Sequence, residues 1–364
     1  MKSLKCLAAV LTSVLCLQAQ AMPYSISSLG EGFNAISINN AGQILGVDAE
    51  GRDILSNPDG TRVVLAPLPG GAWTTARGMN DLGLIVGSSV SASGRATGAI
   101  FTDGQPQAFV PTLGGSYSIL GDVNNAGWIT GISATSGNLN AHAFIFNGTA
   151  MQDLGSVYGY GSNGHVINEA GQVAGETTLK EGNVYFNHAM IWSNGVMRDL
   201  GTFGGRSSST AGMNDGGVVI GSAQTAAGAS HAFMYANGVM TDLGAPAGGS
   251  SYARAINNQN AIVGWNVDAS FQSHPFMYDQ GNMIDLSSLV DPGSGWVLAQ
   301  AEGINDNGQI VGYGYLNGRA SGFLMTINSS TEVPEPTSVM IIGLGFAALL
   351  RVRSRAGTAR SQQH

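Results

Sequence analysis

The sequence has few cysteines and few charged residues. Of its 364 residues, two are cysteines, Cys6 and Cys16, and only 10% are charged. Both cysteines lie close to the N-terminus, so the remainder of the chain has neither disulfide bonds nor thiol chemistry. Hydrophobic residues make up 43% of the chain. That proportion is sufficient for a large core and excludes general disorder, despite 54 glycines.

Positive charge is scarce in the central part of the chain. Residues 22–336 contain all 23 acidic residues but nine basic ones, which gives this segment a net charge of −14. Affinity for nucleic acid depends on Lys and Arg side chains that meet phosphates. The segment also has no basic patch with interleaved aromatic residues. We therefore expect no nucleic-acid partner.

A short apolar run near the N-terminus indicates export. Lys2 and Lys5 precede the apolar residues 7–17, and Ala19 and Ala21 have the spacing of a signal-peptidase site. The first 21 residues are therefore predicted to be a secretory signal peptide that is cleaved after Ala21. An uncleaved membrane anchor is the alternative, but the apolar run is short for a membrane span.

A second short apolar run lies near the C-terminus, at residues 338–350. As a helix it would be about 20 Å long, less than a bilayer core of about 30 Å. Positively charged residues at its end would stay on the cytoplasmic side of the membrane. The residues that flank this run are Pro334, Glu335 and Pro336 before it, and Arg351, Arg353 and Arg355 after it.

This order of motif, short apolar helix and arginine cluster resembles the PEP-CTERM sorting signal of Gram-negative bacteria over residues 333–355. The resemblance implies processing by an exosortase-type membrane protease, with transient anchoring in the inner membrane through the C-terminal helix. It also implies delivery to the cell surface or the extracellular matrix, in a family associated with exopolysaccharide production. The tail, residues 356–364, is longer than the family pattern. A plain C-terminal membrane anchor is the alternative.

The motif Asn-x-x-Gly-x-x-x-Gly occurs seven times, at separations of 41 to 48 residues. A period of this length is typical of repeat architectures. In the sixth copy Asn260 replaces the first glycine, and asparagine is the next-best residue for positive φ. The seven leading asparagines are Asn39, Asn80, Asn124, Asn168, Asn214, Asn257 and Asn305.

Each period contains two hairpin-like halves. The second half is clearest over residues 231–243, where Asn237 and Gly238 separate two apolar runs, as in a tight β-hairpin. Alternation along the first run places Phe233 on one face and Ala232 on the other. Because both faces are apolar, this strand is predicted to be buried between two neighbouring sheets.

Four short antiparallel strands per period of this length are typical of a β-propeller blade. The chain is therefore predicted to be all-β, with residues 22–328 forming seven four-stranded blades. The seventh repeat lacks its outermost strand, and Tyr24–Gly30 is predicted to supply it by pairing with the C-terminal strands. Residues 329–332 would be a short linker. A β-solenoid and a six-bladed ring with an extra terminal hairpin are the alternatives.

The second halves resemble the HAF-repeat family of extracellular bacterial proteins. The resemblance covers residues 34–327, with the first two repeats degenerate, and it implies no established biochemical activity. The segments that match are His142-Ala143-Phe144, His188-Ala189-Met190, His231-Ala232-Phe233 and His274-Pro275-Phe276, with Gly114-Gly115, Gly204-Gly205 and Gly248-Gly249 as closing elements.

Four histidines each precede an aspartate by 11 residues. This spacing places each pair on adjacent strands of one hairpin, where a hydrogen bond would satisfy both polar groups at the margin of a blade. A structural role is therefore predicted. A ring of these histidines around a central channel, able to bind a metal, is the alternative. The pairs are His142 with Asp153, His188 with Asp199, His231 with Asp242, and His274 with Asp285.

The sequence has no motif of a known catalytic site. It lacks a Gly-x-Ser-x-Gly elbow, a His-Glu-x-x-His helix and a phosphate-binding glycine loop. The expectation is a non-enzymatic binding or matrix module without a cofactor, whose ligand is polysaccharide or another partner. The rival is a carbohydrate-active enzyme that uses carboxylates from separate blades, with Glu176 or Glu302 as candidates. Turns such as residues 306–308 offer oxygen ligands for calcium, although ordinary turn chemistry explains them better.

Overall fold

The computed structural model describes residues 24–328, apart from positions 93, 95 and 110. These residues form seven separate four-stranded sheets, each of them antiparallel. The predicted fold is confirmed: the chain is a seven-bladed β-propeller, with one blade for each Asn-x-x-Gly motif.

Six blades consist of four strands that follow one another in the chain. Their bounds are, for blade 1, β2 (Asn34–Ile38), β3 (Ile44–Val47), β4 (Asp53–Ser56) and β5 (Arg62–Val64); for blade 2, β6 (Thr74–Met79), β7 (Ile85–Val90), β8 (Ala96–Thr102) and β9 (Gln105–Ala108); for blade 3, β10 (Gly114–Val123), β11 (Ile129–Thr135), β12 (Ala141–Phe146) and β13 (Met151–Asp153); for blade 4, β14 (Gly161–Ile167), β15 (Val173–Glu181), β16 (Val184–Ser193) and β17 (Val196–Gly201); for blade 5, β18 (Gly204–Met213), β19 (Val219–Thr225), β20 (Ser230–Ala236) and β21 (Val239–Gly244); and for blade 6, β22 (Ser250–Ile256), β23 (Ile262–Val267), β24 (Ser273–Asp279) and β25 (Asn282–Asp285).

The seventh blade closes the ring with strands from both ends of the described chain. It contains β26 (Trp296–Ile304), β27 (Ile310–Leu316) and β28 (Arg319–Ile327), and its outermost strand is β1 (Tyr24–Glu31). Tyr24 pairs with Ile327, and the antiparallel register runs from there to the other end of β1. The predicted closure is therefore confirmed, and it removes an exposed sheet edge. Three short 3-10 helices span Ser136–Asn138, Leu286–Leu289 and Pro292–Ser294.

The Asn-x-x-Gly motif forms the tight turn between the first and second strands of each blade. The first glycine adopts positive φ, and in the sixth repeat Asn260 does so with a φ of 66°, as the sequence predicts. The second glycine lies where the first two strands come close together. A Cβ at Gly264, for example, would overlap the carbonyl oxygen of Tyr252 on the neighbouring strand. Steric constraints therefore explain why glycine stands at both positions of the motif.

Within the described residues, seven hydrophobic clusters fill the spaces between neighbouring blades. Strand β20 shows how one strand contributes to two of them. Phe233 packs in the cluster with Ala174 and Ala189 of blade 4. Ala232, its neighbour in the chain, packs in the cluster with Ile262 and Phe276 of blade 6. The prediction that this strand is buried on both faces is confirmed.

The strand order defines two faces of the disc. The turns between first and second strands, which contain the repeated asparagines, lie on what we term the Asn-turn face. The connections between second and third strands, and the loops from one blade to the next, lie on the opposite side, which we term the far face. Among the described residues no helix is long and apolar enough to cross a membrane.

Candidate functional site

The repeated asparagines form a closed ring of hydrogen bonds around the central channel. Each Nδ2 donates to the main-chain oxygen of the corresponding asparagine in the next blade; that of Asn80, for example, donates to the oxygen of Asn124 at 3.0 Å. The ring closes when Asn305 Nδ2 donates to the Asn39 oxygen at 3.0 Å. In every repeat the Oδ1 atom also accepts a main-chain N–H of its own turn. The asparagines are therefore architectural.

A second ring lies at the channel mouth on the Asn-turn face, formed by the residue that follows each repeated asparagine. In it a main-chain N–H donates to the side-chain oxygen of the next blade, as from Asn40 to Asp81 Oδ1 at 2.8 Å. Amide groups also lie beside carboxylates, as where Asn125 Nδ2 donates to Asp81 Oδ2 at 2.9 Å. These contacts satisfy the acidic oxygens and reduce their mutual repulsion. The members of the ring are Asn40, Asp81, Asn125, Glu169, Asp215, Asn258 and Asp306.

Deeper in the channel, toward the far face, the seven repeats differ from one another. The innermost strand of each blade has a β-bulge three residues before the repeated asparagine. A bulge leaves one residue unpaired and changes the direction of its side chain. These bulge residues line one central cavity of about 710 Å³. They are Ile36, Arg77, Gly121, His165, Ala211, Arg254 and Glu302.

The titratable bulge residues have different partners. Arg254 Nε donates to Glu302 Oε2 at 2.9 Å, and the Arg254 guanidinium also lies over the Trp265 ring at 5.6 Å from its centroid. Burial raises the pKa of the Glu302 carboxyl, although Arg254 opposes that shift. Arg77 is exposed to the channel, and within the described residues its guanidinium has neither an ion pair nor a hydrogen bond.

Two further polar groups belong to the same cavity wall. Nε2 of His165 lies 2.9 Å from Asn163 Nδ2, so this nitrogen accepts the amide hydrogen. Asp122, next to a bulge, accepts the main-chain N–H of Ile167 at 3.0 Å. Burial raises the pKa of the Asp122 carboxyl to about 7, and the charge of Glu169 adds to the shift. The channel thus combines an unpaired cation with carboxyl groups that protonate unusually easily.

Three of the four His–Asp pairs are in contact at the far-face rim of their blades. His142 Nδ1 lies 2.9 Å from Asp153 Oδ1, and both His188–Asp199 and His231–Asp242 have distances of 2.8 Å. Asp199 also accepts the Tyr158 hydroxyl at 2.6 Å. Burial by itself raises the pKa of Asp199, but hydrogen bonds from His188, Tyr158 and a main-chain N–H outweigh it, so that pKa is lowered.

The fourth predicted pair is wrong. His274 Nε2 lies 3.2 Å from Asp268 Oδ2, whereas Asp285 caps a 3-10 helix by accepting the N–H of Ser287. The preceding turn thus supplies a nearer carboxylate. The alternative of a histidine ring around the channel is also wrong, because the four histidines lie on β12, β16, β20 and β24, the third strands of their blades.

The two glutamates singled out from the sequence line different cavities. Glu302 faces the channel, whereas Glu176 lies in a groove on the far face, where its Oε2 accepts Asn187 Nδ2 at 3.1 Å. In the calcium candidate, the turn at residues 306–308, both Asp306 oxygens accept N–H groups of Asn258. Over the described part of the chain, no group of three or more His, Cys, Asp or Glu side chains has the arrangement to hold a metal.

The predicted export and sorting residues lie outside the described residues. They are Ala19 and Ala21 of the signal peptide, and Pro334, Glu335, Pro336, Arg351, Arg353 and Arg355 of the sorting motif.

Sequence comparison identifies the C-terminal motif: residues 332–355 match the PEP-CTERM protein-sorting motif. The motif implies export, and membrane-anchored processing by an exosortase in Gram-negative bacteria. No curated protein sequence matches the chain. The resemblance of the repeats to the HAF-repeat family stays a prediction.

Several solved structures are similar to this chain at low sequence identity. A gluconolactonase of Xanthomonas campestris is 12% identical, with a TM-score of 0.40, 84% of this chain covered and 90% of that one. YCF48 bound to D1 peptide is 12% identical, with a TM-score of 0.47, 84% of this chain covered and 96% of the other. Virginiamycin B lyase of Staphylococcus aureus is 11% identical, with a TM-score of 0.43, 84% of this chain covered and 100% of the other.

Sequence reasoning missed three charged residues of the channel: Arg77, Asp122 and Arg254. A signal for them was present in the alignment of the repeats. Arg77, Arg254, His165 and Glu302 all stand three residues before the repeated asparagine, and Asp122 stands two before it. Aligned on the asparagine, these two positions carry a charged residue or a histidine in five of the seven repeats.

Proposed function

We propose that this exported propeller is a non-enzymatic, surface-associated module that binds exopolysaccharide at the far-face end of its channel. The observation that supports this is the set of bulge residues, which differ from blade to blade inside one cavity of about 710 Å³. A volume of this size is within the usual range for ligand sites. The sorting motif at residues 332–355 supports this proposal, because it implies export.

Arg77 indicates the chemistry of the ligand. Its guanidinium has no counter-charge within the described residues, whereas Arg254 in the same cavity is paired with Glu302. Guanidinium groups bind carboxylates through two parallel hydrogen bonds. An acidic sugar residue would therefore supply the missing partner, while its hydroxyls meet the Asn163 and His165 side chains. We propose that no metal takes part, because the mouth-ring carboxylates already accept N–H groups.

Calorimetric titration of the purified protein with the exopolysaccharide of the producing bacterium tests this proposal. We expect saturable binding that weakens with added salt, because screening reduces the contribution of Arg77. Arg77→Ala should weaken binding about tenfold, since a hydrogen bond to a charged group contributes about 1.5–3 kcal/mol. Arg198→Ala is the matched control, because Arg198 is exposed on the outer strand β17. The absence of binding by the unmodified protein would overturn the proposal.

A second candidate, a glycoside hydrolase, is favoured by one observation. Asp122 and Glu302 line the same cavity, and burial raises the pKa of both carboxyl groups. A raised pKa is what a general acid requires. The same titration distinguishes the two functions if reducing ends are assayed afterwards. We expect none. Release of reducing ends that is lost in Glu302→Gln would establish the enzyme instead.

A further inference from the structure

Blade 4 departs from the other blades on the far face. Its second and third strands, β15 and β16, pair over nine residues, from Val173 with Trp192 to Glu181 with Val184. The corresponding hairpins of the other blades pair over four to seven residues. Among the described residues, blade 4 therefore has the longest paired hairpin of the far face.

The extended hairpin borders a groove of about 490 Å³ between blades 4 and 5. Tyr185 at its outer end is 57% exposed. Its ring is held by the edge of Tyr160, at a centroid distance of 5.5 Å, and by Lys180 Nζ at 5.2 Å from its centroid. Beside it, Phe186 has the Arg206 guanidinium over its ring at 5.2 Å. The aromatic surface is thus positioned without a ligand.

Hydroxyl and amide groups form the rest of the groove. Glu176 contributes the one formal charge to its lining. The hydroxyl and amide members are Asn187, Ser207, Ser208, Ser209, Ser222, Gln224 and Ser230. An exposed tyrosine ring beside many uncharged hydrogen-bonding groups fits a ligand that has C–H faces and hydroxyls together. Neutral sugars have both. Glu176 opposes an anionic ligand by like-charge repulsion, and the nearby cations, Lys180 and Arg206, are already engaged with the aromatic rings.

The groove leads toward the central channel. Glu176 on β15 stands opposite Asn163 on β14 in the strand register, and Asn163 lines the channel cavity. Ser209 of the groove and Thr210 of the channel are neighbours on β18. One polymer can therefore contact both places, with different residues of its chain.

From this arrangement we infer that the groove between blades 4 and 5 is a second saccharide site, which binds neutral sugar residues on Tyr185. The inference rests on the proposed function, since it concerns the same polysaccharide. It adds that recognition has two parts: an acidic residue at Arg77 and neutral residues in the groove. Linked contacts of this kind increase the affinity for a long chain well beyond that for a short one.

The test uses exopolysaccharide whose carboxyl groups have been reduced to alcohols, so that the contact with Arg77 is lost and neutral sugar residues remain. The unmodified protein should still bind this neutral polymer. Tyr185→Ala should weaken that binding about tenfold, and Tyr185→Phe should retain it, because the ring is kept. Tyr315→Ala is the control, since Tyr315 is also an exposed tyrosine of a far-face hairpin.

The outcomes separate this inference from the proposed function. If the protein bound the native polymer but not the reduced one, the proposed saccharide site in the groove would be wrong, whereas the channel site would be retained. Equal affinities of Tyr185→Ala and the unmodified protein for the reduced polymer would also overturn the groove. If the unmodified protein bound neither polymer, both the proposed function and the groove would be wrong.

Discussion

The two ends of the central channel are built from the same strands but differ in how uniform they are. At the Asn-turn end, the same residue type stands in all seven blades and forms a closed hydrogen-bond ring. Toward the far face, the bulge position holds six different residue types. A residue that is required in every blade has a structural role in the blade. A residue that occurs in only one blade has no such role and is available to contact a ligand. The repeated end therefore explains the fold, and the variable end is the candidate site.

The largest effect is expected from breaking the repeated ring. Asn124→Ala should lower the free energy of unfolding by about 2–4 kcal/mol, because a buried donor and a buried acceptor each lose a partner. Asn124 Nδ2 donates to the Asn168 oxygen at 3.1 Å, and its Oδ1 accepts the Trp128 N–H at 2.9 Å. Urea unfolding would measure the change.

Asn125→Ala is the matched control in the same turn. Asn125 is exposed and belongs to the mouth ring, with hydrogen bonds to Asp81 of 2.8 and 2.9 Å. Its removal should cost less than about 1 kcal/mol, since water replaces the lost contacts. Equal losses for the two variants would contradict the view that the buried ring holds the blades together.

A smaller, pH-dependent effect is expected from Asp122 in the variable part of the channel. Its folded pKa of about 7 lies above the ordinary value of 3.8 for an aspartate. The folded state therefore binds the proton more tightly, and this carboxyl destabilises the fold as pH rises from about 4 to about 7. Asp122→Asn should raise stability by about 2 kcal/mol at pH 8, because each pKa unit corresponds to about 1.4 kcal/mol and channel water reduces the effect.

Thermal unfolding of the unmodified protein and Asp122→Asn at several pH values would measure this difference. The two stability curves should converge below about pH 3, where both side chains are neutral in the folded and unfolded states. A difference that does not change with pH would show that the Asp122 carboxyl is an ordinary, solvated one.

The smallest effect concerns the outer His–Asp pairs. His188 has a raised pKa, chiefly through its hydrogen bond to Asp199, which outweighs burial. Because the pKa of His188 is higher in the folded state, protonation of this histidine stabilises the fold. The contribution is complete below the unfolded-state pKa of about 6.5, and it is lost as pH rises through the folded-state pKa. The lowered pKa of Asp199 adds a contribution that is lost as pH falls through its own folded value.

His188→Ala should therefore cost about 1 kcal/mol near pH 5.5 and less near pH 8.5, as measured by thermal unfolding. His274→Ala is the comparison, because His274 is half exposed and contacts Asp268 at 3.2 Å rather than its predicted partner. Its loss should cost less than about 0.5 kcal/mol. If His274→Ala lowered the free energy of unfolding as much as His188→Ala, formation of the predicted His–Asp pair would not contribute to stability.

Periodicity was enough to predict seven blades, with a six-bladed ring as the alternative, and a closing strand over Tyr24–Gly30, which the structure extends by one residue. It was not enough to predict what the repeated asparagines do beyond their own turn. Their Nδ2 atoms act between residues at least 41 positions apart, and no local pattern shows that contact. Turn chemistry, by contrast, is local, which is why Asn260 at positive φ was predictable.

The bulges were hidden from sequence reasoning because a bulge is a property of two strands in register. Arg77 follows Ala76 in what reads as an ordinary strand, and only the pairing with β7 shows that Arg77 is the extra residue. The failed pair His274–Asp285 has a different cause. Its spacing matches the other repeats, but the competing carboxylate, Asp268, belongs to the preceding turn.

Comparing the two ends of the channel in one titration shows at which end the ligand binds. Exopolysaccharide of the producing bacterium would be titrated into Arg77→Ala and Asn125→Ala, with the unmodified protein as reference. We expect about a tenfold loss of affinity for Arg77→Ala, or about 1.4 kcal/mol, and no loss for Asn125→Ala. Unchanged binding by Arg77→Ala, together with weakened binding by Asn125→Ala, would contradict this expectation and place the site at the repeated end.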